Sequence, residues 1–209
     1  MRKGSDGADT RPARTAGRPV ASRERILDTA MELFAESGFD GTPTLRIAQA
    51  AQIPKGLVFH YFPTKLDVLV AVVAERMSLE GLRSLPIEPV AGDVAKTLVR
   101  LASRVQETAH VPAALRRILF REASTHPEVG RRLAQLHTEI LQGARRAIDA
   151  AMEGSRPAGA GPAQRDAAAT AFAATLLHHL NLRQLSGSMV DMTGIATLIA
   201  RGLQAPAIA

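Results

Sequence analysis

The sequence of 209 residues contains no cysteine and no tryptophan, and it has a single tyrosine. Without cysteine the chain has no disulfide framework and no thiol chemistry. Aromatic residues make up only 3% of the sequence, so we expect a core of Leu, Ile, Val and Ala packed between closely spaced helices. The 46% hydrophobic and 22% charged residues are nevertheless typical of a globular protein.

Long apolar runs are also missing from the sequence. No stretch reaches the length of a transmembrane helix, and no apolar signal-peptide core follows the basic N-terminus. We therefore expect a soluble, cytoplasmic protein with no membrane partner. The formal net charge of +6 favours an anionic partner, with nucleic acid and an acidic membrane surface as the two alternatives.

The segment from Thr42 to Phe62 has the outline of a helix-turn-helix. Thr42 is a candidate N-cap and Pro43 suits the first helical position, so a helix is predicted to begin there. Pro54 disfavours a helical backbone at the residue before it, so the chain must turn before a second helix begins near Lys55. Two short helices joined by a tight turn are typical of DNA-binding domains.

The charges of this segment agree with contact to phosphates. Between residues 41 and 65 the charged residues are Arg46, Lys55 and Lys65, and none is acidic. Such a surface can lie against DNA without like-charge repulsion. The alternative is an ordinary helical hairpin whose basic side chains are simply solvated.

Three segments in this region carry a family resemblance: L-F-A-E-S-G-F-D-G-T at 33–42, I-A-Q-A-A at 47–51 and K-G-L-V-F-H-Y-F-P-T-K at 55–65. Their order and spacing resemble the N-terminal domain of the TetR family of bacterial transcription regulators. The resemblance covers roughly residues 22–72. It implies an all-α homodimer in which an N-terminal three-helix helix-turn-helix domain is followed by a larger helical ligand-binding and dimerisation domain.

The same resemblance implies a function. It identifies a sequence-specific DNA-binding transcription regulator, a repressor that a small-molecule ligand of unknown identity releases from a palindromic operator in double-stranded DNA. It implies neither an enzyme nor a cofactor. The DNA-contacting residues that it implies, matched position by position, are Thr42, Thr44, Arg46, Lys55, Gly56, Leu57, His60, Tyr61 and Lys65. Phe59 and Phe62 are expected in the core.

The sequence departs from the family pattern in the turn and in the second helix. Gln52 stands where glycine is frequent and Pro54 where serine is frequent. We expect the turn to close differently, because glutamine is poorly suited to a left-handed helix end. Leu57 stands where a small polar residue is common. It replaces a hydrogen bond to DNA with an apolar contact, for example to a thymine methyl group.

We divide the chain into a disordered basic arm (1–20), a DNA-binding domain (21–65) and a body (66–209). The arm either enters the minor groove or only solubilises the protein. Ser22 is predicted to cap the first helix, and Gly38 is predicted to end it. Thr64 is predicted to cap the fourth helix, with its apolar face formed by Leu66, Leu69, Val70 and Val73.

The remaining sequence predicts five body helices over 94–109, from 112 onward, and over 127–152, 163–185 and 191–203. In the family the last two long helices form the dimer interface, although their apolar faces also suit an internal core. A ligand pocket is implied by the resemblance alone, and buried apolar stripes are equally expected of plain core. Its candidate lining residues are Leu101, Val105, Phe120, Leu136, His137, Ile140, Phe172, Leu176 and His179. No metal-binding pattern is present.

Two other functions remain open from the residues alone. An enzyme would need a catalytic set assembled in space, and no phosphate loop, cysteine nucleophile or metal-binding helix motif indicates one. A DNA-binding or architectural protein without a small ligand would have a body packed solid. The basic segment does not separate this third class from the regulator, because both need contacts to phosphates.

Overall fold

The computed structural model describes residues 18–108, 111–153, 160–185 and 190–204. Over these residues the chain is all-α, as predicted, and no strand is present in them. The helices are α1 (Arg18–Ser37), α2 (Thr44–Ala50), α3 (Lys55–Tyr61), α4 (Lys65–Arg76), α5 (Glu80–Arg83), α6 (Val94–Thr108), α7 (Ala113–Glu122), α8 (Pro127–Met152), α9 (Pro162–Leu185) and α10 (Met192–Gln204).

Helix α1 begins at Arg18, so the prediction that Ser22 caps it is wrong. Pro19 explains the earlier start, because its fixed φ and missing N–H suit the first turn of a helix. Ser22 is buried within the helix instead. The last three residues of the predicted arm are therefore helical, and residues 1–17 lie outside the described part of the chain.

The predicted end of α1 at Gly38 is confirmed. Gly38 has a φ of 79° and its N–H donates to the carbonyl oxygen of Phe34 at 3.0 Å. This left-handed residue turns the chain toward α2. The helix buries one continuous stripe against the rest of the molecule, formed by Ile26, Leu27, Ala30 and Phe34.

Helix α2 begins at Thr44 with Pro43 outside it, so Thr42 is not the cap. Its C-terminus closes through two backbone bonds of about the same length, from Gln52 N to Gln49 O and from Ile53 N to Ala48 O, both 3.0 Å. This pair of bonds is a Schellman motif, and Gln52 occupies its left-handed position with a φ of 54°. The expectation that glutamine would change the turn is therefore wrong, because Gln52 itself adopts the left-handed conformation that a glycine would supply.

Gln52→Gly is expected to stabilise the protein by about 0.5–1 kcal/mol, because a left-handed backbone strains any residue that carries a Cβ atom. Chemical denaturation of both proteins measures the change. Gln49→Gly, three residues earlier inside α2, is the matched control and should destabilise by about 0.5–1 kcal/mol. A loss of stability in Gln52→Gly would mean that the glutamine side chain contributes more than its backbone strain costs.

Helix α4 begins with the predicted cap. Thr64 and Asp67 form a reciprocal capping box, in which the Asp67 N–H donates to Thr64 Oγ1 at 3.1 Å and Thr64 N donates to Asp67 Oδ2 at 2.8 Å. The predicted apolar face is only partly right, because Leu66 is 37% exposed and Val70 half-buried. The buried face consists of Val68, Leu69, Val72 and Val73.

Charged side chains join α4 back to α1. The Arg23 guanidinium donates to both carboxylate oxygens of Glu75, at 2.7 and 2.5 Å. This hydrogen-bonded pair lowers the pKa of Glu75 below its usual value. Arg76 reaches Glu24 Oε2 at 2.7 Å and Asp28 Oδ1 at 3.0 Å. Helices α1 and α4 are thus held together along their exposed edges as well as through the core.

The body is a bundle of α6, α8, α9 and α10, with α7 lying between α1 and α8. The predicted starts at Pro112 and Pro127 are confirmed, since proline precedes α7 and opens α8. The short helix α5 was not predicted. In the structure we call α1 to α4 together with Met77 the head, and α5 to α10 the body. Buried residues from Ile26 in α1 to Leu203 in α10 form one hydrophobic cluster, so the head and the body share a continuous core.

No single helix in the described ranges is long and apolar enough to cross a membrane. Within these ranges one bent pair of helical segments, Lys55–Tyr61 with Lys65–Arg83, has the length and composition of a span when its two parts are combined.

Candidate nucleic-acid interface

Helix α3 is anchored on one side and open on the other. Val58 is fully buried and Phe62, its C-cap residue, is nearly so. Lys55, Gly56 and His60 lie on the exposed side, as the prediction for a recognition helix requires. The anchored side fixes the orientation of the helix, and the open side presents a cation, a glycine and an imidazole to the surroundings.

Gly56 is not required by the packing of the protein. A Cβ atom added there would meet no heavy atom within 4 Å, and the residue does not have a positive φ. The fold would therefore accept a larger residue at this position. The missing side chain instead lets a partner surface approach the start of α3 closely.

The expectation that Phe59 belongs to the core is wrong. The side chain is 42% exposed, and its ring lies 5.7 Å from Lys55 Nζ on the open side of α3. Helical spacing from Val58 predicts this difference. Val58 is fully buried, and Phe59, the next residue, points about 100° away from it around the helix. Phe59 thus joins Lys55 and His60 on the candidate interface.

Leu57 and Tyr61 occupy the borders of α3, each half-buried. The Tyr61 ring lies edge-on to that of His60, with centroids 5.3 Å apart. This contact places the two aromatic side chains side by side at the C-terminal end of α3. Both therefore lie next to the open surface that holds Phe59.

Thr42 does not reach this surface. Its side chain is fully buried, and its hydroxyl donates to the carbonyl oxygens of Leu33 at 3.1 Å and Gly38 at 2.7 Å. These bonds satisfy carbonyls at the end of α1, so the residue ties α1 to the start of α2. We leave Thr42 out of the interface for this reason, while Thr44, half-buried in the first turn of α2, remains at its edge.

The predicted DNA-contacting residues Arg46 and Lys65 differ in how tightly other residues hold their charged groups. Arg46 is exposed, with Nη1 2.8 Å from Ser37 Oγ and Nη2 3.8 Å from Glu36 Oε2. Such exposed contacts contribute little energy, so Arg46 can turn to a phosphate. Lys65 is half-buried, donates to the Phe39 carbonyl oxygen at 2.8 Å and lies 4.1 Å from the Phe39 ring centroid. Its ammonium group holds the turn after α1.

The candidate ligand residues do not line one pocket. Leu101, Val105, Leu136, Ile140, Phe172, Leu176 and His179 are buried, whereas Phe120 and His137 are half-buried. His179 Nδ1 accepts a hydrogen bond from the backbone N–H of Val190 at 3.2 Å, which ties α9 to the segment before α10. Most of these side chains are therefore packed in the core.

A small apolar cavity lies between α7, α8 and α9. Of the predicted residues, Phe120 and Leu136 line it, together with Val111, Arg116, Leu119, Leu177 and Leu180. Its volume is about 10 Å³, which is room for at most one water molecule. A wider open groove of about 540 Å³ lies at the ends of α8 and α9, and none of the predicted ligand residues lines it.

The geometry of α2, the turn and α3 on α1 defines the class: this is a helix-turn-helix domain carried on a helical body. The family model described as "Bacterial regulatory proteins, tetR family" matches residues 26–72. The repressor AcnR of Corynebacterium efficiens is 36% identical over 61 residues, covering 29% of this chain and 32% of AcnR. The regulator YvkB of Bacillus subtilis is 29% identical over 108 residues, covering 52% and 56%. Residues 26–72 of this chain are therefore similar to the N-terminal domain of the tetR family of regulatory proteins.

The fold extends to solved structures over nearly the whole chain. The transcriptional regulator FadR from Bacillus subtilis, solved in complex with stearoyl-CoA, has a TM-score of 0.61 at 16% identity and covers 88% of this chain and 99% of FadR. This likeness shows the fold. In sequence, the chain spans about half of YvkB and about a third of AcnR.

Proposed function

We propose that this protein is a sequence-specific DNA-binding transcription regulator, a repressor that a small molecule releases from a palindromic operator. The observation that carries the proposal is the open side of α3. Its exposed surface is formed by Lys55, Gly56, Phe59 and His60, and the rest of the fold does not cover it. A helix of this kind enters the major groove and reads base edges, while nearby cations contact phosphates. Such a regulator acts in the cytoplasm on the bacterial chromosome.

A homodimer follows from the operator that we propose and from the surface of the last two helices. Helix α9 exposes a row of small residues that includes Ala167, Ala171 and Ala174, and α10 exposes Leu198 at 64%. Small side chains allow helices to approach closely, and a large exposed leucine favours burial against a partner. A two-fold dimer through these helices would present two copies of α3 to two half-sites.

The effector site that we propose is the apolar cavity between α7, α8 and α9. Its lining is aliphatic and aromatic except for Arg116, whose Nη1 donates to the Val111 carbonyl oxygen at 2.6 Å. These side chains suit an aliphatic ligand. FadR, with a similar fold, was solved with an acyl-CoA. Binding requires the cavity to open, and a ligand with higher affinity for the opened dimer shifts the population toward it.

The test is selection of random duplex DNA on the full-length protein, followed by affinity measurements against salt concentration. One palindrome should be recovered. Lys55→Ala should weaken binding about 10-fold and reduce the salt slope by about 1, because one phosphate contact is lost. Lys96→Ala, an exposed lysine on α6, is the matched control and should leave both unchanged. Recovery of sequence-blind binding alone would refute a specific regulator.

The small cavity volume favours a second candidate, a DNA-binding or architectural protein without an effector. The cavity between α7, α8 and α9 has room for about one water molecule, so this part of the body is packed nearly solid. The two candidates separate when fatty acids and fatty acyl-CoAs are added to the protein–operator complex. Release of DNA supports the ligand-responsive repressor, and complexes that persist with all of them support the second candidate.

A further inference from the structure

The last turn of α7 holds the end of α1 through two adjacent residues, which we call the α7 clamp. Arg121 Nη2 donates a hydrogen bond to the carbonyl oxygen of Phe34 in the last turn of α1. Glu122 is 7% exposed, and its Oε1 accepts a hydrogen bond from the backbone N–H of Phe39 at 3.1 Å. The clamp thus bonds to the backbone of the head on both sides of Gly38.

The two clamp residues support one another. Arg121 Nε donates to Glu122 Oε1 at 3.1 Å, and Glu122 Oε2 lies 3.4 Å from His126 Nδ1. The His126 ring in turn packs edge-on against Phe39, with centroids 4.4 Å apart. The Glu122 carboxylate is nearly buried, and its several partners restrict it to one orientation. It therefore fixes the position of the Phe39 backbone N–H, from which it accepts a hydrogen bond.

The clamped turn also carries the helix-turn-helix. The Thr42 hydroxyl bonds to the Gly38 carbonyl oxygen, and Lys65 at the start of α4 bonds to the Phe39 carbonyl oxygen. The segments before and after α2 and α3 therefore meet at the residues that the clamp holds. Any shift of α7 relative to α1 acts on this turn, and through it on the orientation of α3.

A second arginine of the body makes an equivalent contact with α4. Arg132 on α8 donates through Nη2 to the carbonyl oxygens of Met77 and, at 3.4 Å, of Ala74. Since Arg23 and Glu75 pair α1 with α4, the body holds the C-terminal ends of two joined helices. The head therefore has two points of attachment to the body in addition to the chain itself and the shared core.

We propose that Arg121 and Glu122 are positioning residues that set the angle of the head and thereby the half-site spacing that the dimer accepts; this rests on the proposed function. A spacing change of one base pair is about 3.4 Å along the duplex. Because a dimer has two heads, a change of one base pair in the preferred spacing needs a shift of about 1.7 Å in each head, together with a rotation of each by about 17°, which is half of the roughly 35° twist per base pair.

The test uses the full-length protein and the operator selected by the wild type, with the half-sites moved apart or together by one or two base pairs. The wild type should show one sharp optimum. Glu122→Ala should bind the wild-type spacing about 10-fold more weakly, with an optimum that is shifted or flattened, and bind an isolated half-site as the wild type does. Glu122→Gln should keep the wild-type optimum, because its amide oxygen still accepts from Phe39 N–H.

Arg121→Ala should shift or flatten the optimum, because the bond to the Phe34 carbonyl oxygen is lost. Arg117→Ala is its matched control, because Arg117 is exposed one turn earlier on α7, and it should leave the optimum unchanged. An unchanged spacing profile in Glu122→Ala, accompanied only by lower thermal stability, would show a merely structural role and overturn the proposal. If the wild type itself selects no palindrome, it is the proposed function that fails.

A distance measurement on the DNA-free protein tests the clamp even if the wild type selects no palindrome. The chain contains no cysteine, so spin labels can be placed on Gln49→Cys in the head and Lys96→Cys in the body without background. The distance distribution between the labels should be narrow in the wild-type background and wider in Glu122→Ala. An identical distribution in both would overturn the proposal that the clamp fixes the head.

Discussion

Phe59→Glu is expected to lower operator affinity by about 100-fold, which corresponds to about 2.7 kcal/mol of binding free energy. The side chain is 42% exposed on the open side of α3, next to Lys55. A carboxylate there removes an apolar contact with the groove and adds a negative charge close to the phosphates. The free energy of unfolding should change by no more than about 1 kcal/mol, because the ring is not part of the core.

Electrophoretic mobility shift or fluorescence anisotropy gives the affinity, and urea denaturation gives the stability. Val58→Ala is the comparison within the same helix, because Val58 is fully buried and its truncation should cost about 1–3 kcal/mol of stability. If Phe59→Glu unfolds the protein, Phe59 belongs to the core, as the sequence analysis predicted. If operator affinity is unchanged, α3 is not the recognition helix.

Phe34→Ala is expected to lower the free energy of unfolding by about 3–5 kcal/mol. Phe34 is fully buried in the stripe of α1, and its ring centroid lies 5.7 Å from that of Phe39. Removal of the ring leaves a cavity where α1, the turn and α7 meet. At about 2–4 °C per kcal/mol for a chain of this size, the Tm should fall by about 10 °C.

Circular dichroism during urea and thermal unfolding measures this loss. Leu45→Ala is the control in the same domain, because Leu45 is 48% exposed and its truncation should change stability by less than about 0.5 kcal/mol. A loss below about 1 kcal/mol in Phe34→Ala would mean that the core around α1 collapses onto the cavity at little cost.

The helix ends of the head were predictable because the residues that set them act through their own backbone. Proline fixes φ at any position, as at Pro54, and glycine allows a positive φ at any position, as at Gly38. Thr64 caps a helix through a partner only three residues away. The predicted caps at Ser22 and Thr42 were wrong because the position of each side chain depends on the rest of the fold. Both are hydroxyl residues that can cap a helix locally, but tertiary contacts placed them in the interior.

Which side chains meet was harder to predict than which elements form. Lys65 was expected at a phosphate, and the structure places it on Phe39, a residue 26 positions away in the chain. In the body, the apolar stripes correctly indicated that Leu101, Leu136 and Leu176 are buried, whereas Leu198 on the apolar side of α10 is 64% exposed. They carry no information about where facing side chains leave space, so only Phe120 and Leu136 of the predicted ligand residues line the cavity.

The size of that cavity has a consequence for the speed of the proposed response. A ligand larger than the single water molecule for which the cavity has room cannot enter until α7, α8 and α9 have separated. The rate of ligand binding then rises with concentration only until it equals the rate of this separation, and it stays constant above that point. The delay between the arrival of the effector and release of DNA would therefore be a property of helix packing in the body, independent of how abundant the effector becomes.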